Sequence, residues 1–124
     1  IGGKTDFFRG GWIADYPNPE NFLWFFYGKN VPTNLNDPSY PNMMRYKNPK
    51  FDSYYEAGLK SKSTEEAYKN FMEAEKIMVE DAPVMLLWYD EGYRLMHSYV
   101  KDFPNNAMQF RDFSTVYFSN DKEE

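Results

Sequence analysis

A capped helix running directly into an unbroken apolar stretch is the feature that most constrains how this chain folds. Ser63-Thr64-Glu65-Glu66 is a capping box, in which Ser63 caps the first turn and Glu66 reaches back to the Ser63 N–H. Ala67, Phe71, Ala74 and Met78 fall on one stripe with Tyr68 and Met72 beside it, which predicts a helix over residues 64–81. Pro83 stops it, having no N–H to donate. Residues 84–89 (VMLLWY) are then continuously apolar and of strand length, which predicts a strand buried on both faces.

The rest of the chain supplies further elements. Residues 5–14 (TDFFRGGWIA) read as a strand in which Gly10 and Gly11 permit a bulge or the close approach of another backbone. Residues 15–19 form a turn, and Asn18-Pro19-Glu20 carries the signature of a helix start. Residues 22–27 then read as a short buried helix ending at Gly28. Residues 29–48 have no usable period and form a long irregular loop, a length often functional. Asn48-Pro49 repeats the start signature, and Phe51, Tyr55 and Leu59 at four-residue spacing predict an amphipathic helix over 49–61. Glu91-Gly92 reads as a hairpin turn into a strand over 93–99, with a last strand over 110–118. The order of elements predicts an α+β fold, with helices packed on a small mixed sheet.

Composition narrows the function. A chain of 124 residues makes one domain at most. It begins at Ile1 rather than Met and reads as a piece of something longer, with residues 119–124 as a frayed tail. Net charge is −5 and the basic residues are scattered among acids, which argues against a nucleic-acid partner. Cysteine is absent, so there are no disulfides and no thiolate chemistry. His97, the sole histidine, has no second ligand at motif spacing, so no metal is expected. Ser98, its neighbour, would point to the opposite face of a strand, so no Ser-His-Asp triad is expected either. The carboxylate pairs on the 64–81 helix follow a solvated face. Gly2-Gly3 and Gly10-Gly11 lack the context of a phosphate loop. No catalytic residue and no cofactor are read from the sequence.

One acid stands apart. Asp15 follows Trp12-Ile13-Ala14 and precedes a Pro-rich turn. It either caps that turn through its own backbone or pairs with a ligand cation in an aromatic-walled site.

Residues 11–23 (GWIADYPNPENFL) resemble the G-W-x-x-D-Y-x-x-P-x-x-F-L segment of the family 5 extracellular solute-binding proteins, the dipeptide- and oligopeptide-binding components of ABC transporters. YKNPKFD (46–52) is similar to that family's Y-x-N-P-x-x-D. AYKNFMEAEKIMVEDAPVMLLWY (67–89) resembles its helix, Ala-Pro and buried strand. VKDF (100–103) is similar to its V-x-G-F, with Asp102 where the family has Gly.

The resemblance implies the C-terminal portion of a type II periplasmic-binding-protein fold, two lobes closing on a ligand. It implies that Asp15 pairs with a peptide α-ammonium, that Gly11 and Ile13 offer backbone contacts, and that Trp12 walls a pocket. It implies a non-catalytic role in peptide import, with a peptide ligand, the remainder of the parent protein and an ABC permease as partners. The parent would be periplasmic, or extracytoplasmic and membrane-associated. A fragment of this kind is expected to self-associate through surface its missing part covers. The alternative is a carbohydrate-binding protein with an aromatic-lined groove, using Trp12, Trp24 and Trp88, although Trp88 falls in a predicted core strand. A third reading is an interaction domain with an aromatic interface and no small ligand.

Overall fold

The computed structural model describes residues 5–120. Gly2-Gly3 and the last four residues of the expected tail lie outside them. The chain divides into two compact units, Ile1–Leu86 and Leu87–Glu124.

The first unit is helical. Helix α1 spans Glu20–Leu23 and passes into two 3₁₀ turns, Trp24–Phe26 and Gly28–Asn30. Asn18, expected as the cap, stands one residue further out: Pro19 occupies the cap position, and Asn18 Oδ1 accepts from the Glu20 N–H at 2.9 Å. The predicted helix over 22–27 is therefore shorter and tighter than its pattern implied. It turns Leu23, Phe25 and Phe26 inward and leaves Phe22 outside. Helix α2, Pro49–Lys60, begins where Asn48 Oδ1 accepts from the N–H groups of Lys50 and Phe51. Helix α3, Thr64–Asp81, has the predicted limits. Ser63 Oγ accepts from the Glu66 N–H at 3.2 Å. A residue before proline is kept out of the right-handed helical region, and Ala82 leaves it with φ of 48°.

Helices α2 and α3 bury their stripes against each other and against the aromatic segment around α1. Phe51, Tyr55, Phe71, Ala74 and Met78 form the core with Leu23, Phe25 and Phe26. Leu59, expected on the buried stripe, is exposed, and Gly58 is buried in its place. Seven residues from Phe51 to Gly58 make nearly two whole turns at about 3.6 residues each, whereas the eighth swings off the face.

The loop between Gly28 and Asn48 is fixed rather than loose. Asn42, fully buried, donates from Nδ2 to the carbonyls of Tyr27 and Tyr46 at 3.0 and 2.8 Å and accepts from the Tyr46 N–H at 3.0 Å. Tyr46 and Asn48 both donate to Asp81 Oδ2 at 2.6 Å, which ties the end of α3 to the start of α2.

The strand expectations need correction. Among the described residues, strand pairing is confined to the second unit, where β1 (Val100–Lys101) pairs antiparallel with β2 (Tyr117–Phe118), Val100 opposite Phe118. The sheet is antiparallel, not mixed. No strand forms over 5–14, 84–89 or 93–99, no hairpin forms at Glu91-Gly92, and the strand expected over 110–118 shrinks to its last part. The 84–89 run is not buried: Leu86 is 74% exposed and Tyr89 fully so. A doubly buried strand needs a partner on each edge and a layer on each face. Among the described residues neither is supplied. The α+β class holds in coarse form, as helices in one unit and an antiparallel strand pair in the other.

Candidate functional site

The segment 11–19 enters the first unit along the edge of its aromatic core. From Gly11 to Asp15 the side chains alternate: Gly11, Ile13 and Asp15 are exposed, whereas Trp12 and Ala14 are half-buried. A period of two is that of an extended chain, with alternate residues on opposite faces.

The inward face is anchored at one point. Asn21, on α1 and only 2% exposed, presents its Oδ1 to two donors. The Trp12 indole Nε1–H donates to it at 2.8 Å and the Asp15 backbone N–H at 2.9 Å. The Trp12 ring meets Phe25 edge-on, with centroids 4.8 Å apart. Trp12 is thus a packed side chain with a satisfied polar tip, which fixes the outward aim of its neighbours.

The turn that follows is held by Glu20. Its carboxylate accepts from the Tyr16 hydroxyl and, at 2.5 Å, from the Tyr55 hydroxyl. The bond to Glu20 raises the Tyr16 phenol above its usual range. Burial, with Glu20 adding, raises that of Tyr55. Both phenols therefore stay protonated donors across the neutral range.

The outward face is open. The Asp15 carboxylate makes no hydrogen bond or ion pair among the described residues; Asn18 closes the turn instead, through its N–H to the Tyr16 carbonyl at 2.8 Å. The main-chain groups of residues 11–14 also pair with nothing among the described residues. A Cβ placed on Gly10 or Gly11 would meet no atom within 4 Å, so no backbone of the described chain makes the close approach read from these glycines.

The other features read from the sequence each have their own surroundings. His97 stacks on Tyr99 with ring centroids 4.9 Å apart. Among the described residues no group of three or more His, Cys, Asp or Glu side chains is placed to hold a metal ion. Lys69 and Lys76 pair with Glu65 and Glu73 on the surface of α3, as a solvated face requires. Trp24 lies half-buried, edge-on to Phe25 and Tyr40. Trp88 is 61% exposed, which corrects its expected place in a core strand.

Sequence reasoning did not single out Asn21, and it read Glu20 only as the acid of a helix start. The signal for Asn21 was indirect: it stands one residue before the run expected to be buried, and an amide drawn in with that run must find partners there.

No family model matches the chain, and no solved structure matches it. Among curated proteins it is similar to the periplasmic murein peptide-binding protein MppA of Escherichia coli strain K12, with 30% identity over 120 residues. That match takes in 93% of the chain but 20% of MppA, so the chain spans one-fifth of its relative's length. With the four motifs in order and 93% of this chain matched to one-fifth of MppA, the chain is similar to a segment of the family 5 extracellular solute-binding proteins.

Proposed function

We propose that the chain forms one wall of the binding site of a non-catalytic peptide-binding protein, in the C-terminal portion of a type II periplasmic-binding-protein fold. The observation that carries this reading is the open face of residues 11–15. A carboxylate and a run of main-chain groups that have no partner among the described residues are held outward by a buried anchor. An unpaired extended backbone takes up a second extended backbone whatever its side chains. Asp15 then meets the α-ammonium of the peptide, Gly11 and Ile13 supply main-chain contacts, and Trp12 backs the wall. Empty space beside Gly11 leaves room for a ligand chain.

The name of the relative supports the ligand class, since MppA is described as a periplasmic peptide-binding protein. A periplasmic or otherwise extracytoplasmic parent, delivery to an ABC permease and absence of enzymatic activity follow from the same reading. The carbohydrate alternative gains no support from Trp12 and Trp24, whose rings are engaged with Phe25.

The test is Asp15→Asn in the full-length protein, titrated calorimetrically with an unblocked tripeptide such as trialanine. An ammonium deprived of its counter-charge in a closed site should cost about 2–4 kcal/mol of binding. A loss below about 0.5 kcal/mol, the scale of an ordinary surface substitution, would remove Asp15 from the site.

A further inference from the structure

We propose that Asn21 is the positioning residue that sets which face of residues 11–15 the ligand meets, an inference that rests on the reading of that segment given above. One buried acceptor atom takes both the Trp12 indole N–H and the Asp15 main-chain N–H, three residues apart on the same segment. Fixing both ends leaves the run between them one choice of facing. With Trp12 turned in, the period-two alternation of the chain turns Gly11, Ile13 and Asp15 out.

Register in an extended segment is otherwise weakly held, because a slip of one residue exchanges the two faces. Residues 11–14 have no strand partner among the described residues to prevent that slip. Glu20 holds the turn that follows through Tyr16, and among the described residues its carboxylate has no hydrogen bond to residues 11–15. Asn21 is therefore the polar contact that discriminates between facings. Asn21 does not touch the ligand on this view; it acts through Asp15.

The experiment compares trialanine with N-acetyl-trialanine on the full-length wild type and on Asn21→Ala, Trp12→Phe and Asn42→Ala. The reading is the ratio of the two affinities, which a general loss of stability does not move. Wild type should favour the free amine. Losing the shared acceptor should lower that preference by about tenfold, the scale of one to two hydrogen bonds. Asn42, an equally buried amide in the loop, serves as the structural control: its variant should melt earlier yet keep the preference.

An Asn21→Ala protein that melts cooperatively and keeps the full preference would overturn the inference. If that variant does not fold, Trp12→Phe, which removes one of the two donors and keeps a ring, should still weaken the preference. An unchanged ratio in Trp12→Phe would count against the role of Asn21.

A second reading needs no ligand. Hydrogen exchange of the Trp12 indole N–H should be slow in wild type and fast in Asn21→Ala, and equal rates would also overturn the inference. A wild type that ignores trialanine would contradict the proposed function, while the exchange rates would still decide the role of Asn21.

Discussion

Three groups converge on the Glu56 carboxylate: the Lys29 ammonium at 2.6 Å, the Tyr27 hydroxyl at 2.7 Å and, at 3.4 Å, the Lys60 ammonium. Hydrogen bonding from Lys29 and then Tyr27 holds its pKa down to about 2 from a usual 4.5. A carboxyl depressed in the folded state stabilises the fold above its unfolded pKa, and that contribution is lost as pH falls through the folded value. The stability difference between wild type and Glu56→Gln, read as a urea midpoint, should therefore be fully present above pH 4.5 and vanish as pH falls towards about 2. A difference that does not change with pH would refute it. Asp102 shows how residue-scale facts can be legible in part. The family resemblance places Gly at that position, and φ there is 54°, the left-handed region that Gly enters freely and Asp tolerates better than most residues. Asn21 was less legible, because its value lies in two donors nine and six residues away that only the folded chain assembles.

At the scale of elements, α2 and α3 were readable because their signals are local: an Asn or Ser cap, a stripe of apolar residues and a stop. Strands were misread because an apolar run states a wish for burial and not the means of it. The partners of a strand lie elsewhere in the sequence, and here the described chain offers none to residues 84–89. How closely the two long helices pack was also hidden from the sequence. Gly58 lies under the Phe71 ring, and a Cβ at that position would fall 2.4 Å from the ring edge. Phe71 is itself buried, so it has little room to retreat. Gly58→Ala should thus destabilise the chain by about 1–3 kcal/mol through overpacking, although alanine is the better helix former. Denaturant unfolding measures this, and a gain in stability would show that the helices separate freely.

At the scale of the whole molecule, much apolar surface is left uncovered. Met85, Leu86, Leu87 and Trp88 are all exposed, as are Phe110 and Phe113. Large apolar side chains left exposed in such number mark surface that another body covers. In the proposed parent that body is the remaining four-fifths of a protein the length of MppA. In its absence the 124-residue chain should self-associate, and sedimentation should show species heavier than a monomer as concentration rises; a monomer throughout would contradict this. The central claim concerns the first unit and the parent protein: residues 11–15 face an amino-terminated peptide with Asp15 as its counter-charge. Calorimetric titration of the full-length wild type with a peptide and its N-acetylated form tests it most directly. Binding of the free amine with a marked loss on acetylation is the predicted result, and equal affinity for the two would contradict it.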